Sequence, residues 1–371
     1  MLTALDSSNK LILLSGNEDK NGLSRLREKE QFYCPQCQKA VHLKIGQVMI
    51  PHFAHRKKGS CQYFSEGETA THLLGKRHLY EMFQRLQIEA KLEPYLKSLM
   101  QRPDLLIRVE EQQYAIEFQY STISKPQMVK RTTGYHKEKM IPLWILHTPT
   151  TKNPHKDGIQ QIRLSPFKQQ FITYSNQHAH LITYNPTLKL FVYFNYLLPI
   201  GGYRFIAKVQ TLAIDQQHFP FLRASALTKN ECLTYWQLWK RERERVLRGR
   251  LHISKRGVKD PFLRACYYLR VIPEKLPLFV GIPINKKPHS IEAVEWQLLW
   301  LYFLYTQHQN RMAYSPKLAK DFTDSHGICV DTESIRFYSE ILNHLDIEDI
   351  FSHYEEEKIF HYIYSQFLAK T

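Results

Sequence analysis

Asp104, Glu117 and Gln119 are polar residues set into two apolar runs. Asp104 opens Leu105-Leu106-Ile107-Arg108-Val109, and Glu117 and Gln119 stand in Tyr114-Ala115-Ile116-Glu117-Phe118-Gln119. The polar stretch Glu110-Glu111-Gln112-Gln113 between them suits a hairpin turn. A turn centred on Glu110-Glu111 sets Asp104 opposite Glu117. Side chains alternate across a strand, so Glu117 and Gln119 share one face while Ile116 and Phe118 take the other. Two carboxylates and an amide then converge. Carboxylates held together raise each other's pKa unless a cation lies between them. A hard divalent ion such as Mg²⁺ is the natural occupant.

An element that could serve this patch precedes it. A helix is predicted from about Glu66 to Leu86, with Glu68, His72 and Lys76 spaced four and four on one face. Leu79, Phe83 and Leu86 continue the same face, which a helix on a sheet normally buries. Its ionisable half needs partners, and Asp104 and Glu117 could supply them. For Glu68 there is a rival role: Ser65-x-x-Glu68 also fits a capping box.

Nearer the N-terminus, Cys34-x2-Cys37 is followed by His52-x2-His55, with 14 residues between Cys37 and His52. Two thiolates and two imidazoles at this spacing suit tetrahedral Zn²⁺. His52 and His55 point to opposite faces of a regular strand, so the site needs a bend there, and Cys61 is a substitute ligand. The alternative is a hydrophobic knuckle packed by Phe53, its histidines in ordinary hydrogen bonds.

The chain divides into four parts by pattern. Residues 1–62 read as a small β-rich Cys/His module. Residues 63–150 read as helix, three strands, helix, strand, ending in the apolar run Ile141–Leu146, expected to be central. Residues 151–223 hold a linker and an antiparallel meander. Residues 224–371 are helical and basic, with amphipathic segments at Glu231–Gly249, Ser290–Gln307 and Asp331–Tyr364.

The 371 residues carry a net charge of +16, which implies an anionic partner, nucleic acid first. Lys240, Arg241, Arg243, Arg245, Arg248 and Arg250 form the densest basic run, just after Trp236 and Trp239. A phosphate-tracking helix beside stackable aromatics suits single-stranded DNA, although tryptophans at helical spacing are more often core. Six cysteines do not make a disulfide scaffold. The longest apolar stretch, Leu298–Tyr305, is far below a membrane span, and no secretory signal is visible, so a cytoplasmic location is expected.

Cys34-Pro35-x-Cys37, Pro51-His52-Phe53-Ala54-His55, Glu68-x3-His72-x3-Lys76, Arg102-Pro103-Asp104 and Ile116-Glu117-Phe118-Gln119-Tyr120-Ser121 occur in that order. With Arg131-x3-Tyr135 and Pro142-Leu143-Trp144-Ile145-Leu146, they resemble the competence protein CoiA family over about residues 30–150. The Asp104…Glu117-x-Gln119 pattern resembles the PD-(D/E)xK nuclease core, with Gln119 where lysine is usual. The resemblance implies an α/β protein with a restriction-endonuclease-like αβββαβ core. It also implies a role in natural transformation, on incoming DNA, with a recombinase and other competence proteins as partners.

In a nuclease of this kind Asp104 and Glu117 would bind Mg²⁺ or Mn²⁺, with Glu68 acting through water or a second ion. Gln119 could orient water without supplying charge, which Lys76 or His72 would partly replace. Arg131 and Tyr135 could meet phosphate and sugar, or be an ordinary pair. The rival function is a non-catalytic DNA-binding recombination accessory on a nuclease-like scaffold, suggested by Gln119 and the basic C-terminal half.

Overall fold

The computed structural model describes residues 1–16, 18–55, 68–149, 156–175, 178–221, 225–253, 259–284, 291–307, 314–327 and 330–369. The chain forms two compact units. The first comprises Met1–Lys156, Leu181–Tyr193 and Gln210–Arg223; the second comprises Asp157–His180, Phe194–Val209 and Ala224–Thr371.

The first unit begins with β1 (Thr3–Leu5), β2 (Leu11–Leu13), α1 (Lys20–Lys29), β3 (Phe32–Tyr33), β4 (Ala40–Lys44) and β5 (His52–His55). These strands form one sheet in the order β2-β1-β3-β4-β5. Strand β4 alternates buried Val41 and Leu43 with exposed neighbours, the signature of a sheet with one covered face.

Helix α2 (Ala70–Arg85) follows, then β6 (Glu89–Leu92), β7 (Leu105–Val109), β8 (Gln112–Gln119), α3 (Lys125–Lys137) and β9 (Ile141–His147). This is the expected αβββαβ order. Helix α2 starts later than predicted: Thr69 is its N-cap, accepting from the His72 backbone N–H. Strand β6 stops at Leu92, because Glu93 turns to φ 49 and Pro94 has no N–H to donate. Helix α3 opens on a Ser124/Gln127 capping box. Strands β6–β7 and β7–β8 pair antiparallel, and β8 pairs parallel with β9.

Helix α2 lies closely on β8. A Cβ on Gly75 would stand 2.1 Å from the Phe118 ring, so the approach requires glycine. Leu73, Leu79, Met82 and Phe83 of α2 join Ile107, Ile116, Phe118 and Ile145 in one core, which also takes in Val41 and Phe53.

The chain continues through β10 (Gly158–Arg163), α4 (Pro166–Gln169), β11 (Thr173–Ser175), β12 (His178–Asn185), β13 (Leu190–Pro199) and β14 (Arg204–Ala213). The segment expected as a separate meander does more than pair with itself. Thr183 and Tyr184 of β12 pair in parallel with Leu146 and His147 of β9. Strand β9 therefore has a neighbour on each side, β8 along Ile141–Leu146 and β12 at Leu146 and His147.

In the second unit β10 pairs antiparallel with β14. Its helices are α5 (Lys229–Ile253), α6 (Pro261–Tyr268), α7 (Ala293–Thr306), α8 (Pro316–His326), α9 (Thr332–His344) and α10 (Glu356–Ile363). Helix α7 is buried nearly all round and supplies Trp296, Leu299 and Trp300 to the core. The amphipathic stretch 331–364 is two helices, because Asp346 at φ 55 ends the first and the Ile347 N–H folds back to the Leu342 carbonyl.

Candidate active site and metal centre

The β7–β8 hairpin turns at Glu110-Glu111, with Val109 paired to Gln112 and Glu110 at φ 53. Leu105 pairs with Ile116, so Asp104, one residue earlier, comes opposite Glu117 as the spacing predicted. The Phe118 backbone N–H donates to Asp104 Oδ2 at 2.8 Å, which fixes the carboxylate across the strand.

Each carboxylate meets a different helix. Asp104 faces α2, with Oδ2 3.5 Å from His72 Nε2 and Oδ1 3.7 Å from Lys76 Nζ. Burial alone would raise its pKa, but His72 and Lys76 outweigh burial and hold it below the usual aspartate value. Glu117 faces α3, where Arg131 Nε donates at 3.0 Å, and Arg131 Nη2 and the Tyr135 hydroxyl make closer bonds. Glu117 is 4% exposed. Burial raises its pKa, Asp104 adds to the rise, and Arg131 offsets only part of it.

Lys76 is 1% exposed and sits among Glu68, Glu93 and Asp104. Burial works against its charge, yet the three carboxylates reverse that and raise its pKa. Glu68 precedes the helix rather than riding on it, but its carboxylate still joins the group, bonding Lys76 Nζ and the Met1 amino group. Thr69 takes the capping role, and Ser65 lies outside the described residues.

Glu93 and Arg102 belong to this network and were missed in the sequence. Glu93 accepts from the Leu2 and Thr3 backbone N–H groups at 2.9 and 3.2 Å and bonds Lys76; Arg102 Nη2 lies 3.4 Å from it. The signal for Glu93 was a glutamate beside Pro94 at the end of a strand in which Ala90 and Leu92 alternate with charged residues.

Four expected roles change. Arg131 and Tyr135 turn inward to Glu117, and Tyr135 is fully buried, so they hold that carboxylate rather than reach for phosphate. Glu68 is engaged by two cations and does not approach an ion site with Asp104 and Glu117: among the described residues no three acidic groups converge at ligand distance. The Gln119 amide donates to the Ser121 carbonyl at 2.5 Å, at its own strand's exit. Lys76 is enclosed by carboxylates rather than open to a substrate.

A divalent ion fits Asp104 and Glu117 by chemistry. Both offer hard oxygen donors, and burial, with a smaller contribution from Asp104, keeps the Glu117 pKa raised despite Arg131.

Cys34, Cys37 and His55 bring one ligand atom each within 4.8 Å of one another. A tight turn makes the knuckle: the Gln38 N–H donates to the Cys34 carbonyl at 2.8 Å, and Gln38 stands at φ 56. Strand β5 is regular, without the bend needed to bring both histidines in, so His52 faces away and its Nδ1 meets the Ile50 carbonyl at 2.9 Å. Cys61 lies outside the described residues. The set fits zinc: two thiols, an imidazole, and a buried His55 Nδ1 without a hydrogen-bond partner among the described residues. Burial, then Arg102, keeps His55 below the usual histidine pKa, in the neutral form that ligates.

The basic run of α5 splits by face. Arg243 is buried and donates to the carbonyls of Val280, Leu276 and Pro277 at 2.7, 2.9 and 2.6 Å. Arg250 pairs with Asp260 at 2.7 Å and Glu295 at 3.3 Å. Lys240 pairs with Glu356 at 2.6 Å over the Trp236 ring. These three support the fold. Trp236 and Trp239 are core and offer no base a stacking face. Arg241, Arg245 and Arg248 remain on the exposed face.

Comparison with known proteins bears on the family of the chain. Residues 68–226 match the family described as "Competence protein CoiA, nuclease-like domain", and residues 15–64 match "Competence protein CoiA, N-terminal domain". The chain is 35% identical over 189 residues to Competence protein CoiA of Bacillus subtilis (strain 168), a match covering 51% of this chain and 50% of that protein. The matched region thus spans half the length of that relative. No solved structure matches. Among the described residues no helix is long and apolar enough to cross a membrane. The chain belongs to the competence protein CoiA family.

Proposed function

We propose that this chain processes DNA in natural competence, in the cytoplasm, and that its nuclease-like domain hydrolyses phosphodiester bonds with Mg²⁺ or Mn²⁺ at Asp104 and Glu117. One observation carries the reading. The hairpin register sets Asp104 opposite Glu117 and the Phe118 N–H fixes its carboxylate, while burial first and the Asp104 charge second raise the Glu117 pKa. A divalent ion there would lower the pKa of a bound water and polarise the scissile phosphate.

The chain's own residues orient the site. Arg131 and Tyr135 hold Glu117, and Lys76 and the Phe118 N–H hold Asp104. His72, 21% exposed and beside Asp104, is placed to meet a phosphate oxygen. The test is cleavage of labelled single- and double-stranded DNA by wild type and Glu117→Gln, with Mg²⁺, Mn²⁺ or EDTA. Metal-dependent cutting by wild type alone supports the reading. Equal cutting by the variant would exclude this site.

A second reading is a DNA-binding accessory to a recombinase that does not cut. Gln119 supports it, since its amide is bonded to Ser121 and brings no charge to the carboxylates. Salt-sensitive DNA binding without cleavage, in every metal, would favour it.

A further inference from the structure

Arg241, Arg245 and Arg248 stand at i, i+4 and i+7 on α5, so they form one stripe. At 1.5 Å per residue it is about 10 Å long. The stripe lines an open groove of about 380 Å³ together with Gln161 of β10, Glu242 and Glu244. Arg163, two residues along β10 from Gln161, is exposed on the same strand face.

The groove carries more cation than its acids neutralise. Glu242 is taken by Arg204 and Arg245, Glu292 by Arg204 and Glu244 by Arg248. Among the described residues neither Arg163 nor Arg241 has a carboxylate partner. The crowding shows at Arg204. Burial lowers its pKa, and Arg245 and Arg163 lower it further against the opposing pull of Glu292.

We propose that this groove tracks the phosphodiester backbone of nucleic acid, independently of sequence. The inference rests on the reading that the protein handles DNA. Guanidinium forks match phosphate oxygens. A stripe of about 10 Å meets about three phosphates of one strand at the ~3.4 Å axial spacing of duplex DNA. Among the described residues no aromatic lines the groove, so contact is through the backbone and not by base stacking.

The test compares wild type with Arg241→Gln/Arg245→Gln/Arg248→Gln, both in the Glu117→Gln background with EDTA so that nothing is cut. Affinity for labelled single-stranded and duplex DNA is followed against salt. Removing three phosphate contacts is expected to reduce the slope of log affinity on log salt by about two to three. A control with equal charge loss, Arg264→Gln/Lys317→Gln/Lys320→Gln at exposed positions, is expected to keep the slope. The Arg→Lys triple at the groove keeps helix and charge and is expected to keep the slope too, which separates binding from folding. An unchanged slope in the groove triple, or an equal fall in the control, would overturn the groove while leaving the DNA reading intact. A wild type that binds no DNA at low salt would remove both. Equal binding of polyglutamate would assign the groove to an acidic protein instead.

Discussion

The Phe118 backbone N–H donates to the Asp104 carboxylate at 2.8 Å, so the residue just before β7 is tied to the C-terminal end of β8. Asp104→Asn can keep this bond while losing the charge. It is expected to lose the stabilisation that the charge draws from His72 and Lys76, and to lose metal-dependent cleavage. Asp104→Ala also strands the N–H, and is expected to cost a further ~1–3 kcal/mol in denaturant unfolding. Equal stability of the two variants would contradict the tie.

Lys76 is the buried counter-charge of Glu68 and Glu93. Lys76→Met keeps the volume and removes the charge, leaving two carboxylates poorly paired. The expected loss is about 3–5 kcal/mol, read from urea unfolding at neutral pH. A loss below about 1 kcal/mol would mean that the network is solvated.

The same group predicts an acid limb. Burial raises the pKa values of Glu68 and Glu93, but their cations reverse this and hold both below the ordinary glutamate value of 4.5. A depressed carboxylate stabilises the fold in full above its unfolded pKa, and the contribution is lost as pH falls through the folded value. Wild-type stability should therefore drop below about pH 4.5. In Lys76→Met that drop should shrink, because burial is then less opposed. Parallel pH–stability curves for the two proteins would refute the assignment.

For the cysteine–histidine centre, purified wild type is expected to carry one zinc per chain, measured by elemental analysis. Cys34→Ser and His55→Ala should lose it, and His52→Ala should retain it. Loss of zinc from His52→Ala would show that β5 bends when metal binds.

Much of the site was legible because strands alternate with period two. Once the turn is at Glu110-Glu111, Asp104 must come opposite Glu117 in register, and Glu117 and Phe118 must take opposite faces; that the Asp104 carboxylate would turn to α2, on the side of Phe118, was not legible. The same rule showed that His52 and His55 diverge, and the regular β5 keeps them apart. The inward roles of Arg131 and Tyr135 were hidden, since spacing does not say whether a helix row faces sheet or solvent. Arg243 was hidden for another reason. Its acceptors, the carbonyls of Leu276, Pro277 and Val280, come from a loop more than 30 residues away, and no local pattern announces such a meeting. Glu93 reads as a loop acid until the N-terminal strand arrives to bond it.

The parallel pairing of β12 with β9 bears on how the protein can be divided for study. A fragment ending near residue 150 would bare the end of β9 at Leu146 and His147, a template for intermolecular pairing. Such a fragment would precipitate however sound its hairpin. An expressible nuclease-like piece has to carry residues 181–193 and 210–223 as well, so a shortened gene should rejoin those segments rather than stop after β9.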